Sequence, residues 1–310
     1  MKISTQFLFD RASQQMSQVQ TRVVQSQAQV ASGKQVLKPS DQPDQASLIQ
    51  RYKSLIARHE NYLDNMNLVN ARLQSEATTL DSVVNLMHRA KELVVQASND
   101  TATTDDRQAI ATELQGLRDQ ILSLANTQDS NGNHLFGGSR VSSPPFASPD
   151  SDPGASPTYQ GDRTRMEVLI GDQRNLPINR AGSDVFVRVL RTDAQGTQQG
   201  VSFFKAFDDL VAGVKTSSQS AMQRGNGELD AMFEGILQAQ ADVGTDTAIL
   251  EQQGNTTEDT LPVLKSNLSS VEDLDYASAI SDMKKQMLSL EAAQSSFAKI
   301  TQLSLFNYLR

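Results

Sequence analysis

The 310-residue chain has no cysteine, no tryptophan, three histidines and only 5% aromatic residues. Without cysteine, disulfides, zinc–thiolate centres and thiol catalysis are excluded. No run of 18 apolar residues occurs, so no segment reads as a membrane-spanning helix and no membrane insertion is expected. The opening "MKISTQFLFD" has one lysine but neither a long apolar stretch nor a small-residue cleavage site, so a cleaved secretory signal is not expected. Positive charge is scarce too. A net charge of −8 and a pI near 5.0 argue against nucleic acid as a partner. The apolar fraction of 38% suits long helices with narrow seams better than a thick globular core.

What is present is helical period. Phe7, Met16, Val19, Val23 and Val30 predict a helix over the first ~33 residues, and "SGKQVLKPSDQPDQA" ends it with Gly33, Pro39 and Pro43. Ser40 and Asp41 offer capping oxygens for the next helix. From Ile49 a 3–4 repeat follows. One line reads Ile49, Ile56, Leu63, Asn70, Ala77, Val84, Lys91; its companion reads Tyr52, His59, Met66, Leu73, Leu80, Met87, Val94. Asn70 and Lys91 are polar misfits, either register-setting or at a solvated edge. A polar turn at 98–106 leads to Ile110, Leu114, Leu117, Ile121 and Leu124, and the short connection implies an antiparallel pair.

Beyond Asp129 the character changes. Asn131-Gly132 marks a turn, 142–157 is rich in Pro, Ser and Asp, and "RMEVLIG", "NLPINRAGS" and "DVFVRVL" read as short strands. Residues 140–208 are therefore predicted to form a small inserted β-rich domain. Helix returns with Leu229, Ile236, Val243, Leu250, Thr257, Leu264 and Val271, accompanied by Phe233, Gln240, Thr247, Gly254, Leu261 and Leu268. Gly254 and Pro262 suggest a break or kink. A last helix carries Ile280, Met283, Met287, Leu290, Phe297 and Ile300, then Leu303, Leu305, Phe306 and Leu309, which point nearly all round. An end that is apolar on every side asks to be surrounded. Residues 1–30 and 281–310 each carry a net +2, so the acidity lies in the interior.

No constellation for catalysis is visible. His59 and His88 sit on the long helix, and His134 has no partner ligand nearby. "DSNGNHLFGGSR" fails as a calcium loop, with His134 at the sixth position and Arg140 at the twelfth. Gly137-Gly138 lacks the lysine and helix of a phosphate loop. No catalytic residue, cofactor or metal is expected, and an enzyme is the class least supported.

At the two ends the sequence resembles a known family. "MKISTQFLFDRASQQMSQVQTRVVQSQAQVASGKQVLKPSDQP" resembles the N-terminal region of flagellins, and "VEDLDYASAISDMKKQMLSLEAAQSSFAKITQLSLFNYLR" is similar to their C-terminal region. Within the family, the ending "FAKITQLSLFNYL" and "YQGDRTRMEVLIGDQRNLPINRAGSDVFV" look most like the subunits at the hook–filament junction. The resemblance implies a mainly α, flagellin-like fold: long antiparallel coiled-coil-like helices from both ends, with the β-rich insert. Residues 1–44 and 274–310 would form a terminal assembly domain, 45–139 and 209–273 a helical bundle, and 140–208 a surface domain. It further implies a flagellar structural subunit, exported with its ends unfolded by the type III apparatus to the cell exterior. There it would form a ring of copies between hook-associated protein 1 and flagellin, and an export chaperone would hold its C-terminal segment. The assembly interface would comprise Phe7, Met16, Val19, Val23, Val30, Ile280, Met283, Met287, Leu290, Phe297, Ile300, Leu303, Leu305, Phe306 and Leu309. The alternatives are a short flagellin that builds the filament itself, or a coiled-coil surface adhesin.

Overall fold

The computed structural model describes residues 2–148, 152, 155–192 and 198–306. The protein is mainly helical and divides into two compact units, Met1–Glu60 with Glu258–Arg310, and Asn61–Thr257. We call them the terminal unit and the middle unit.

The terminal unit contains α1 (Lys2–Ser32), the start of α2 (Pro43–Ala97), the end of α6 (Gln219–Glu272) and α7 (Tyr276–Phe306). Helix α2 begins at Pro43, a position where a missing N–H costs nothing, rather than after Ser40 or Asp41. Those two residues belong to the preceding turn, in which the Asp41 N–H donates to the Lys38 carbonyl. Lys265 meets Glu60 at 2.8 Å and Lys53 meets Glu272 at 2.8 Å, so α2 and α6 run antiparallel here. The expected break near Gly254 and Pro262 is absent, and α6 is continuous through both. Pro262 is exposed, so its ring meets water rather than a packed neighbour.

In the middle unit α2 and α6 pair again, through Lys91–Asp230 at 2.6 Å and a hydrogen bond from Gln240 to Asp81. Helix α3 (Thr104–Ala125) returns antiparallel to α2: Arg107 donates to the Ala97 carbonyl, and Arg89 reaches Glu113. A capping box starts α3, with Thr103 Oγ accepting from the Asp106 N–H and the Asp106 carboxylate accepting from the Thr103 N–H. Helix α5 (Phe203–Lys215) packs on α3, and Arg118 grips Asp208 with two nitrogens at 2.9 and 3.1 Å.

Between α3 and α5 lie three two-stranded antiparallel pieces: β1 (Phe146–Ala147) with β2 (Thr158–Tyr159), β3 (Glu167–Gly171) with β4 (Arg174–Pro177), and β5 (Val189–Thr192) with β6 (Gln198–Val201). "DVFVRVL" is only partly strand, because a short helix α4 (Gly182–Val185) precedes β5. Phe136, Phe146, Phe186, Phe203 and Phe204 pack mostly edge to face, with centroids 5.2–6.1 Å apart, and stand in for a broad sheet core. At the loop before β1, Gly138 has φ +68, and a Cβ there would lie 2.2 Å from the Asp162 carbonyl oxygen. Gly137-Gly138 thus serves a close backbone approach.

The seam of α2 departs from the predicted register. Met66, Leu73, Leu80, Met87 and Val94 are buried as expected, but the companion line is Val69, Glu76, Val83, Ala90 and Ala97. Asn70, Ala77, Val84 and Lys91 flank it, half-buried. From Val69 to Ala97 this companion line keeps seven-residue spacing, one residue earlier than the predicted line. Lys91 is an edge residue, bound to Asp230 and lying over the Phe233 ring. In α6 the same correction replaces Phe233 and Gln240 with Met232 and Ala239.

Glu76 is 1% exposed. It is held by Arg72 at 3.7 Å and by Arg180, from the β4–α4 connection, at 3.2 Å; Arg180 also binds Asp246. Burial pushes the Glu76 carboxyl up to about 7, against the pull of both arginines.

Candidate assembly interface

Helices α1 and α7 lie against one another in antiparallel order. Lys34 is paired with Asp273 at one end, Ser26 donates to Gln286 at 3.1 Å, and the Phe9 and Phe297 rings stand 4.8 Å apart towards the other. The facing stripe on α1 is Phe9, Ala12, Met16, Val19, Val23, Ser26 and Val30. That on α7 is Ala279, Met283, Gln286, Leu290, Ala293 and Phe297. Both follow the 3–4 spacing of a two-helix seam. Of these residues only Val23 is fully buried, because two helices alone cannot wrap a seam.

Of the predicted interface residues, Met16, Val19, Val23, Val30, Met283, Leu290 and Phe297 lie on this seam. Phe7 (64% exposed), Ile280 and Met287 face water instead. Helix α7 carries Ile300, Leu303, Leu305 and Phe306 in its last turns, and Leu309 lies outside the described residues. The sequence reading missed Phe9, although Phe9, Met16, Val23 and Val30 are spaced seven apart. Val24 and Leu288, which the sequence pattern does not single out, are exposed at 59% and 68%. Val24 and Leu288, with Met287, Val23 and Leu290, line an open groove of about 590 Å³ between the two helices. Gln20, Gln27, Lys284, Glu291 and Gln294 rim it.

Among the described residues no group of three His, Asp or Glu could hold a metal ion, and no helix is long and apolar enough to cross a membrane. His134 is buried, with Nδ1 2.7 Å from the Asn126 carbonyl and Nε2 3.2 Å from the Gln128 amide. Asp129 accepts from the N–H groups of Asn131 and Asn133 and from Arg72, so its oxygens are engaged in the turn.

Comparison with known proteins places the chain among flagellar proteins. The bacterial flagellin N-terminal helical region matches residues 3–140, and the flagellin C-terminal helical region matches residues 227–309. Flagellar hook-associated protein 3 of Escherichia coli K12 is 27% identical over 319 aligned positions, which cover 99% of each chain. The crystal structure of the flagellar junction protein FlgL from Legionella pneumophila is similar with a TM-score of 0.62 at 17% identity, covering 72% of this chain and 99% of its own. FlgL of Xanthomonas campestris gives a TM-score of 0.61 at 21% identity, covering 70% and 99%.

Proposed function

Because the chain belongs to the bacterial flagellin family, we propose that it is the structural subunit of the flagellar hook–filament junction. The observation that carries this reading is the end-to-end correspondence with hook-associated protein 3, in which neither chain leaves a large unmatched segment. The terminal helix pair supplies the physical reason for assembly. Phe7, Val24, Met287 and Leu288 stand in water on one pair of helices. Burying such a side chain is worth roughly 1.5–3 kcal/mol, so copies packed side by side stabilise one another strongly.

In this reading residues 1–44 and 274–310 form the wall of a ring, 45–139 and 209–273 the bundle outside it, and 140–208 a surface domain. Hook-associated protein 1 lies on one side of the ring and flagellin on the other. The subunit works outside the cell as part of the flagellum, reached through the flagellar export path, and before export a chaperone covers its C-terminal segment.

Deletion of residues 296–310 tests the proposal. The truncated chain is expected to leave the cell yet fail to hold filaments, so that flagellin is shed into the medium. Normal filaments on that strain would overturn it. Purified chain added to filament seeds should stop after a few layers, whereas long filaments would identify a flagellin.

A further inference from the structure

The α1–α7 seam has little to define its own register. Its facing positions include Ala12, Ser26, Ala279 and Ala293 among medium-sized apolar residues, and a slip of one heptad again sets small and apolar groups against each other. The discrimination available within the seam is the Ser26–Gln286 bond and the Phe9–Phe297 contact.

Next to the seam, however, the two connecting segments are fastened. The Gln35 N–H donates to the Glu272 carbonyl at 2.9 Å and the Leu274 N–H donates to the Gly33 carbonyl at 3.0 Å, which sets Lys34 opposite Asp273. Glu272 is 8% exposed, and its Oε1 receives Lys34 Nζ and Lys53 Nζ, both at 2.8 Å. Gly33 has φ +70, and a Cβ on it would lie 2.6 Å from the Tyr276 hydroxyl. Gln29, in the last turn of α1, donates to the Gln35 carbonyl at 2.7 Å. Glycine is needed here both for its backbone conformation and for room. Charge-assisted bonds to a shielded carboxylate are stronger than neutral ones and depend on geometry.

We propose that Gly33, Lys34, Lys53, Glu272 and Tyr276 form a register lock, which fixes the axial alignment of α1 against α7 in the free subunit before any neighbour docks. The proposal rests on reading the terminal pair as the assembly element. It adds that the strip offered to a neighbour is already indexed, one stagger of the two helices being selected at the neck and carried outward along the seam.

The natural absence of cysteine makes the test direct. In the full-length soluble chain, Ser26→Cys is paired in turn with Gln286→Cys, Ala279→Cys and Ala293→Cys, and each pair is treated with a short thiol crosslinker. With the lock intact only the 26–286 pair should join, the other two being one heptad off. Adding Glu272→Gln, which keeps the shape and removes the charge, or Gly33→Ala, should raise the slipped products about tenfold relative to the native one. Loss of the 26–286 product with amide protection of α3 and α5 unchanged would support the lock equally. An undiminished, exclusive 26–286 product in both lock variants would overturn it, as would slipped products from the unaltered neck. If Gly33→Ala unfolds the chain, Glu272→Gln alone decides. Failure of the unaltered chain to restore filaments to a null strain would sink the junction reading without touching this result.

Discussion

The middle unit buries most of its apolar side chains in its own core, although Leu68, Val95, Leu169, Leu190 and Leu237 are exposed, whereas the terminal unit leaves most of its own half-covered. Leu80, Val83, Met87, Leu114, Ile121, Phe136, Phe207 and Ile236 are fully buried in one continuous core. In the terminal unit, by contrast, Val23, Ile49, Ile56 and Leu261 are the buried apolar residues among those described, and Phe7, Phe9, Val24, Val263, Tyr276, Met287 and Leu288 stay exposed. The two regions share helix length and heptad spacing. They differ in layers. A third and fourth element, α3 and α5, close over the α2–α6 seam in the middle, but nothing among the described residues closes over α1 and α7. Periodicity therefore announces a seam without saying whether the same molecule covers it.

Paired truncations give the largest contrast. Phe207→Ala should cost the monomer about 3–5 kcal/mol, read as a shift in denaturant midpoint. Leu288→Ala should move that midpoint by less than about 0.5 kcal/mol yet weaken filament attachment. Equal losses from the two would erase the difference between the units.

Acidity separates them next, through one glutamate in each. The Glu76 carboxyl, raised to about 7 by burial, binds a proton more readily folded than unfolded. Its ionisation therefore costs the middle unit nothing below its unfolded pKa of about 4.3, and a cost grows from there to a plateau above about 7, on the order of 3 kcal/mol. Glu76→Gln should flatten that slope in urea titrations at successive pH. Glu272 runs the other way. Lys34 and Lys53 hold its carboxyl below the usual glutamate range, so the stabilisation it gives the neck is present above pH ~4.3 and is lost as pH falls through the depressed value. The smallest effect is expected at the α3 cap: Thr103→Ala removes one side of the capping box and should lower middle-unit stability by about 1 kcal/mol.

Much of this architecture was legible in the sequence, and the misses share a cause. The helix over 2–32, the α3 stripe and the β-rich interruption all follow from local spacing and turn residues. The companion line of the long seams was read one residue late because Glu76 looks like a surface residue until Arg180, 104 positions away, is seen beside it. Glu272 was missed for the same reason, since Lys53 lies 219 residues from it in the chain. Phe9 could have been found from its seven-residue spacing to Met16; the neighbouring Phe7 obscured it. Charges buried by distant partners leave no periodic mark, whereas apolar stripes do.

Pro262 has a mechanical consequence. Helix α6 continues through it, yet proline has no N–H to offer the Glu258 carbonyl one turn earlier. One rung of the ladder is missing there, so α6 bends at least cost at that point. Along the whole of α6, the turn from Glu258 to Pro262 is therefore where the helix axis yields most readily.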